Sequence, residues 1–438
     1  MAGTVTREWT EVLDAGLSRR ARRPCRYESY IPDGIADLRL TLPTQVTADI
    51  GEAERALQDL NSGGPRLASL EALARLLLRA EAVASSRIEG LEVDVGRLAR
   101  ADAARRGGES INDPTAEAVL GNIDAMDLAV GELAAKRQLA VTDLFAMHEA
   151  LMRQTSARGI GGHVRVGQNW IGGNDYSPCG ADFIPPPPEF VADLLGDLVA
   201  FINSVSQSAF VQAAIAHAQF ETIHPFVDGN GRVGRALIHL VLRRRGLAPR
   251  FVPPISLVLA TEARTYVSGL TAFRYVGAPT RAAAQQGIAM WLGTFASATA
   301  RACRDAQQIA VDIDALERRW REQAEPVRRN SAADLLLGLL PAAPILTVST
   351  AAQLTGRSFQ AADLAIAHLT KAGVLQQTKL GRRNRAFEAV GLVDSLTAIE
   401  RRLASPARDT RDSAPVRRVP YRRANLNMRD RDSRLPAP

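Results

Sequence analysis

The residues best equipped for chemistry lie in one short segment, residues 224–235, which reads HPFVDGNGRVGR. His224 can accept a proton near neutral pH, because an unperturbed imidazole has a pKa of about 6.5. Asp228, four residues later, offers a hard carboxylate oxygen of the kind that Mg²⁺ on a polyphosphate requires. The segment therefore combines a candidate general base with a candidate metal ligand.

The glycine-rich middle of the same segment is suited to hold phosphate. Gly229, Asn230 and Gly231 tolerate positive φ, so that successive backbone N–H groups can turn towards an anion. A helix is predicted to begin there, and its free N–H groups and positive dipole end favour the same anion. Arg232 and Arg235 lie three residues apart on one helix face, where both can bind phosphate oxygens. Base, metal ligand, anion nest and arginine pair together indicate phosphoryl-type transfer.

Helices on both sides must position this loop. Apolar spacing predicts one helix over residues 209–223 and another over 232–245. Upstream, residues 159–184 are rich in glycine, β-branched and aromatic residues and are followed by four prolines, which cannot continue a helix or a central strand. We interpret that segment as a hairpin-like flap. Further helices are predicted at residues 43–60, 65–86, 116–136, 141–154 and 189–203. The predicted fold class is therefore all-α, with one β-hairpin flap.

Residues 331–400 have a different pattern. Helix, turn and helix are followed by two short strands around a basic turn at 379–383, which is the element order of a winged-helix domain. Its basic residues are Arg357, Lys371, Lys379, Arg382, Arg383 and Arg385. Contact with DNA through residues 348–388 is one interpretation, and docking against the protein's own core or a partner subunit is the other. The tail from residue 405 is rich in Arg, Asp and Pro with almost no aliphatic residues, and it is expected to be disordered.

Composition describes an ordinary globular chain. Of the 438 residues, 46% are hydrophobic and 23% are charged, and the formal net charge of +7 hints at an acidic partner. The cysteines, Cys25, Cys179 and Cys303, are widely spaced and odd in number, so neither a zinc knuckle nor a disulfide framework is expected. A signal-peptide core and an apolar run of membrane length are both missing, which predicts a cytoplasmic protein without membrane contact.

Residues 224–235 resemble the signature of the Fic family, His-x-Phe-x-(Asp/Glu)-Gly-Asn-Gly-Arg-x-x-Arg, and every fixed position is met. Residues 162–165, 170–172 and 181–187 resemble the flap of that family, which pairs with an extended piece of the target protein. The resemblance implies a protein adenylyltransferase that moves AMP from ATP to a Ser, Thr or Tyr hydroxyl of a target protein, or of itself. The target would dock on the flap at 162–184.

The resemblance covers roughly residues 30–300, together with the winged-helix domain that some members carry. The implied domains are an N-terminal helical region with an inhibitory helix (1–110), a Fic core (111–302), a connecting helix (303–330), a winged-helix domain (331–400) and a basic disordered tail (401–438). The donor nucleotide and the oligomeric state, including a homo-oligomer, stay open.

A second motif lies far upstream. Ser85, Glu89 and Gly90 match the inhibitory pattern of the family, (Ser/Thr)-x-x-x-Glu-(Gly/Asn). In such proteins the glutamate pairs with the second arginine of the signature, here Arg235, so that a carboxylate competes with the γ-phosphate for one guanidinium. An alternative, also implied by the resemblance, is that Glu89 positions a water and the enzyme removes AMP. A third alternative is a nucleotide-sensing, DNA-binding regulator.

The resemblance also implies a role for each residue of the motif. His224 would deprotonate the target hydroxyl, and Asp228 would hold Mg²⁺ on the α- and β-phosphates of ATP. Residues 229–231 and Arg232 would hold those phosphates, and Arg235 would bind the γ-phosphate once Glu89 has released it. The remaining implied contacts with the nucleotide are Val233, Gly234 and, beside the adenine, Tyr266.

Overall fold

The computed structural model describes residues 1–10, 23–62, 70–174, 176–380 and 384–403. The chain begins with a hairpin in which β1 (Gly3–Trp9) pairs antiparallel with β2 (Cys25–Ile31), with Thr6 opposite Glu28. Side chains alternate between less and more exposed along β1 and over residues 25–28 of β2, which is the period of a β-strand. The prediction of a helical N-terminal region missed this hairpin, because its alternating residues are polar and charged rather than apolar on one face.

Helices form most of the chain that follows. They are α1 (Thr44–Ser62), α2 (Leu70–Ile88), α3 (Val95–Arg106), α4 (Pro114–Val130), α5 (Val141–Met152), α6 (Pro188–Asn203), α7 (Ala209–Ile223), α8 (Asn230–Arg244), α9 (Ile255–Thr261), α10 (Ala263–Phe273) and α11 (Ala282–Gln323). The predicted helix at 209–223 coincides with α7, whose first turn is capped by Ser208: its side chain accepts a hydrogen bond from Val211 N. The mainly helical fold class is confirmed.

Helices α7 and α8 lie at the centre of the core. Every residue of α7 from Phe210 to Ile223 is buried, and so is every residue of α8 from Asn230 to Leu242. Trp291 of α11 is fully buried beside α7, and its indole Nε1 donates to Ala214 O at 2.9 Å. Because both helices are enclosed, the loop between them is held rigidly at each end.

The segment between α5 and α6 holds the predicted flap, residues 159–184. The structure shows one isolated β-bridge there, between Ile171 and Phe183, in place of a regular hairpin. Gly172, Gly173 and Gly180 have positive φ, which turns the chain out of the extended conformation between the two bridge residues. The turn and the antiparallel bridge agree with the predicted hairpin-like flap, and the described residues of the flap show no longer strand pair.

The expectation of no disulfide was wrong. Cys25, at the start of β2, is bonded to Cys179 in the flap, across 154 residues of sequence. Spacing along the chain could not reveal this pairing, because the two cysteines meet only when β2 packs against the flap. The remaining cysteine, Cys303, is free and buried in α11.

The C-terminal unit contains the predicted two helices and strand pair, with two additional helices and one additional strand. Its elements are α12 (Ala332–Leu339), β3 (Ile345–Leu346), α13 (Val348–Thr355), α14 (Phe359–Lys371), β4 (Leu375–Leu380), β5 (Asn384–Ala389) and α15 (Leu392–Leu403). The strands form an antiparallel sheet in the order β3-β5-β4. Arg382, Arg383 and the predicted tail from residue 404 lie outside the described residues.

The C-terminal unit packs directly on the helical core. Arg79 of α2 donates to Ala342 O at 2.9 Å, and Trp320 near the end of α11 donates to Val390 O at 3.1 Å. Helix α11 is continuous for 42 residues and covers the predicted connecting helix as far as Gln323. Within the described part of the chain, no helix has both the length and the apolar character to cross a membrane.

Candidate active site

His224 sits at the C-terminal end of α7. Its backbone has φ +50° and ψ +60°, a left-handed conformation that is uncommon outside glycine. The His224 carbonyl accepts hydrogen bonds from Arg165 Nε at 2.9 Å and from Asn169 Nδ2 at 3.1 Å. The turn that presents the imidazole is therefore stabilised by side chains from the flap.

The imidazole of His224 is prepared to accept a proton. Its Nδ1 lies 3.3 Å from the carbonyl oxygen of Glu221, so an Nδ1–H can donate there and leave Nε2 with its lone pair. Only 18% of the side chain is exposed, and burial lowers the pKa of His224 to about 4. The ring is therefore neutral at pH 7, as a general base must be.

The loop at residues 224–229 is fixed by the first residue of α8. The Asn230 side chain accepts from Phe226 N and donates to Phe226 O, both at 2.8 Å. The Phe226 ring is buried and stacks on His148, with ring centroids 3.8 Å apart. His148 Nε2 in turn lies 3.0 Å from Asp228 O, and this histidine is a contact that the sequence did not single out.

Asp228 is the most exposed of the predicted site residues. Its carboxylate is 63% exposed, with one oxygen accepting from Gly229 N at 2.6 Å and the other 3.5 Å from Arg232 Nη2. Within the described residues there is no cluster of three or more His, Cys, Asp or Glu side chains that could hold a metal ion. One carboxylate beside a polyphosphate is nevertheless a usual arrangement for Mg²⁺, so Asp228 fits that ion.

The start of α8 has the backbone geometry expected of the predicted anion site. Gly229 has φ +80° and precedes the first turn of α8, whose N–H groups lack intrahelical partners. Arg232 is buried, and its Nε has no hydrogen-bond partner within the described residues. Since buried donors are almost always paired, this guanidinium is suited to an anion bound at the helix start.

The second signature arginine is bound by the upstream motif. Arg235 Nη2 donates to Glu89 Oε1 at 2.6 Å and to Ser85 O at 2.8 Å, and Arg235 Nε donates to Ser85 Oγ at 2.9 Å. Burial acts to raise the pKa of Glu89, but the charge and hydrogen bond of Arg235 outweigh it and lower that pKa. The carboxylate is therefore ionised at neutral pH. A Cβ on Gly231 would lie 2.0 Å from Glu89 Oε1, so only glycine admits this contact.

Comparison with known proteins agrees with this geometry. The Fic/DOC family matches residues 138–242, and the Fic/DOC family N-terminal region matches residues 47–131. The matched part of this chain belongs to the Fic/DOC family. The first match contains the loop and α8, and the second contains Ser85 and Glu89, so both halves of the Arg235 contact lie in matched regions.

Curated relatives match parts of this Fic protein. Protein adenylyltransferase fic-1 of Caenorhabditis briggsae is 32% identical over 134 residues, which is 30% of this chain and 24% of the relative. Protein adenylyltransferase Fic of Drosophila melanogaster is 30% identical over 223 residues, which is 48% of this chain and 43% of the relative. The chain thus spans between a quarter and a half of the length of these relatives.

Solved structures of Fic proteins also match. A Fic family protein from Desulfovibrio desulfuricans G20 aligns with 80% of this chain and 97% of its own at 22% identity and a TM-score of 0.45. Fic-1 of Caenorhabditis elegans aligns with 61% of this chain and 73% of its own at 23% identity and the same TM-score of 0.45.

Three further residues named from the sequence lie beneath the loop of the Fic domain. The side chain of Val233 is buried in the core, so this residue can reach a nucleotide only through its backbone. A Cβ on Gly234 would lie 2.7 Å from Glu221 Oε1, which leaves no room for a side chain. Tyr266 is buried, and its hydroxyl is 2.8 Å from His217 Nε2, so its ring lies in the aromatic layer behind α7.

Sequence reasoning missed one titratable residue of this site. Glu221 is buried one turn before His224, with its Oε2 3.9 Å from His224 Nδ1 and its Oε1 without a partner in the described residues. Burial raises the pKa of Glu221 to about 7. The only available signal was its position three residues before the histidine, which places both residues on one helix face.

Proposed function

We propose that this Fic protein is an adenylyltransferase that transfers AMP from ATP to a Ser, Thr or Tyr hydroxyl of a target protein, or of itself, and that Glu89 inhibits it. The observation that carries the proposal is that neutral His224 precedes the start of α8, while Arg235 in the second turn of α8 is bound by Glu89. The names of the curated relatives, protein adenylyltransferase, support the same reaction.

The proposed chemistry follows from the positions of these groups. His224 Nε2 takes the proton of the target hydroxyl, and the hydroxyl oxygen forms a bond to the α-phosphorus of ATP. The bond from that phosphorus to the bridging oxygen breaks, and pyrophosphate leaves. The N–H groups at the start of α8 and the unpaired Arg232 Nε hold the phosphates in line for this attack. Mg²⁺ held by Asp228 would neutralise phosphate charge when bound.

Inhibition follows from competition for one guanidinium. Arg235 already donates to Glu89 and Ser85, so a γ-phosphate that needs the same N–H groups must displace the glutamate. Glu89 is 36% exposed, which leaves its carboxylate able to rotate away from Arg235 into the site. Loss of this carboxylate is therefore expected to release the arginine for ATP.

We propose that the target docks on the flap at residues 162–184. Val166 is almost fully exposed there, and its neighbour Arg165 is bonded to the carbonyl of His224. An extended segment lying along the flap would thus reach the imidazole directly, and pairing through the backbone would accept many side chains.

The first experiment compares label transfer from ATP carrying a labelled α-phosphate, with Mg²⁺, for three proteins: the unmodified chain, Glu89→Gly, and Glu89→Gly/His224→Ala. We expect strong labelling in the single variant alone, with a loss of about 10²–10⁴-fold when His224 is replaced. Equal labelling in all three would refute His224 as the base.

Removal of AMP is the alternative activity at the same site. The Glu89 carboxylate, partly exposed at the nucleotide site, is placed where it can hold a water molecule for attack on a phosphodiester. If Glu89→Gly gains no transfer activity while the unmodified protein releases AMP from a labelled product, the de-AMPylase function replaces the first proposal.

A DNA-binding role for residues 348–388 is a further proposal, supported by the order of helices and strands in the C-terminal unit. Lys371, Lys379 and Arg385 are exposed, whereas α14 also exposes Phe359 and Leu364, which suit a protein partner. Salt-dependent DNA binding that is lost when Arg382 and Arg383 become alanine would support regulation. Its absence would support docking to a protein, a second copy of this chain included.

The cytoplasmic location expected from the sequence also stays a proposal. A supply of ATP favours it, whereas the Cys25–Cys179 disulfide favours an oxidising setting. Cell fractionation combined with alkylation of free thiols would decide between them, since a reduced Cys25–Cys179 pair in the cytosolic fraction would support the cytoplasm.

A further inference from the structure

Arg165 makes an unusual set of contacts for a buried charged residue. Only 3% of it is exposed, and its guanidinium donates to backbone carbonyl oxygens: His224 at 2.9 Å, Gly167 at 3.1 Å, Pro186 at 2.5 Å and Ile223 at 3.4 Å. Within the described residues it forms no ion pair with a carboxylate. Burial lowers the pKa of Arg165 to about 10, so the side chain is still charged at neutral pH.

Two of those carbonyls belong to the C-terminal end of α7. The last carbonyls of a helix lack intrahelical donors and carry the negative end of its dipole, so a buried cation is stabilised there without a carboxylate. The Arg165 backbone N–H also donates to Pro225 O at 2.9 Å. Arg165 therefore contacts Ile223, His224 and Pro225 in succession, along the turn where His224 has positive φ.

The other two carbonyls belong to a residue in the first half of the flap and to a residue just after its end. Gly167 lies in its first half, and Pro186 follows its last residues, so one guanidinium joins both ends to the turn at His224. Asn169 of the flap adds hydrogen bonds to His224 O and Phe226 O, both at 3.1 Å. A displacement of the flap would therefore also move the imidazole.

We propose that Arg165 is a positioning residue that couples the flap to His224 and thereby sets the alignment of the base with a target hydroxyl. The inference rests on the proposed transfer reaction and deepens it. It separates two properties of the site: nucleotide binding depends on the start of α8, whereas alignment of the base depends on Arg165. Lysine cannot replace it, because an ammonium lacks the planar fork that reaches carbonyls on both sides.

The test uses the full chain in the Glu89→Gly background, with Arg165→Lys, Arg165→Met and the matched control Arg158→Met. Arg158 is exposed close to the flap and contacts none of these carbonyls through its side chain in the described structure. For Arg165→Lys we expect kcat for transfer to fall by about 10–100-fold, because small misplacements of a reacting group have effects of that size. The Kd for ATP should stay unchanged, and the control should keep both values.

A second measurement, the pKa of His224, does not depend on the transfer reaction. The pKa of His224, followed by NMR with labelled histidine, should be higher in Arg165→Lys than in the parent Glu89→Gly protein, because a loosened turn admits water. The control should not shift it. If Glu89→Gly transfers no label, the proposed function fails, and the NMR titration still tests Arg165.

Two results would overturn the inference. Full kcat together with an unshifted His224 pKa in Arg165→Lys would show that the guanidinium does not position the base. A parallel loss of kcat, ATP affinity and melting temperature in that variant would show a general role in folding. Arg165→Met, which also removes the charge, is expected to show the larger loss of kcat.

Discussion

The loop at residues 224–229 and the flap lie side by side but are held in different ways. The loop has bonds to residues close in sequence, because Asn230 bonds both backbone groups of Phe226 and Glu221 O accepts from His224. It also accepts bonds from Arg165 and Asn169 of the flap. The flap is fixed by distant residues, through the Cys25–Cys179 disulfide and the bond from Tyr30 N to Ile184 O at 2.9 Å. The turn of the loop is thus specified in part by local residues, whereas the proposed docking surface is held by the N-terminal hairpin.

The largest effect on transfer activity is expected from a substitution in the loop. Asn230→Ala leaves the buried Phe226 N–H unpaired, at a cost of about 1–3 kcal/mol in the free energy of unfolding, and leaves Phe226 O with the bond from Asn169 alone. Because the loop then shifts relative to α8, we expect transfer by the Glu89→Gly protein to fall by about 10²-fold. Label transfer and thermal unfolding measure the two effects.

The matched control is the corresponding asparagine of the flap. The Asn174 side chain accepts from Tyr176 N at 3.1 Å and from Ser177 N at 2.8 Å, so it also holds a turn. Asn174→Ala is expected to raise the KM for the target and leave ATP binding unchanged. If both alanine variants lose ATP binding equally, the contrast between the two regions is wrong.

An effect of intermediate size on transfer activity is expected from a change in pH. Burial raises the pKa of Glu221 to about 7, with Arg235 and Arg274 acting to lower it and Glu89 acting to raise it. Above that pH the ionised carboxylate, 3.9 Å from His224 Nδ1, stabilises the protonated imidazole and makes His224 a stronger base. Transfer should therefore increase between pH 6 and pH 8.

The variant Glu221→Gln tests whether the Glu221 carboxyl group causes the increase in transfer between pH 6 and pH 8. Glu221→Gln in the Glu89→Gly background should give a rate without the increase near pH 7, because the amide does not titrate. The midpoint in that background should lie somewhat below pH 7, since the Glu89 charge that helps to raise the pKa is gone. An unchanged pH profile in Glu221→Gln would show that another group causes the increase in transfer near pH 7.

The smallest effect on activity is expected from the disulfide. Cys25→Ser, or reduction by a dithiol, releases the flap from β2, while Asn169 and Arg165 still hold it next to His224. We expect a few-fold rise in KM for the target and no change in ATP affinity. The free energy of unfolding should fall by on the order of 2–4 kcal/mol.

Cys303→Ser serves as the control for the disulfide, because that thiol is free and buried. Its target KM should match that of the unmodified protein under oxidising conditions. A loss of ATP affinity in Cys25→Ser would contradict the assignment of the disulfide to the docking surface alone.

Much of the fold followed from the sequence, because helix periodicity and capping are local. The prediction at 209–223 coincided with α7, and the helix expected at 189–203 is α6, which begins one residue earlier. The hairpin of β1 and β2 was not predicted, since polar strands carry no apolar period and pair only through residues far apart in sequence.

The sequence by itself determined the chemical groups of the site. The spacing of His224, Asp228 and Arg235 placed a candidate base, a candidate metal ligand and a candidate phosphate contact around one helix start. Ser85 and Glu89 indicated the contact to Arg235 that the structure contains. Such motifs can be read because a short segment can adopt its turn and helix start from its own residues.

Only the tertiary structure decided how these groups behave. The neutral state of His224, the raised pKa of Glu221 and the buried contacts of Arg165 depend on which distant segments exclude water from them. Burial and desolvation are properties of the packed molecule, and no spacing along the chain specifies them. The disulfide and the buried position of Tyr266 could not be predicted from the sequence either, because both depend on contacts across more than 40 residues.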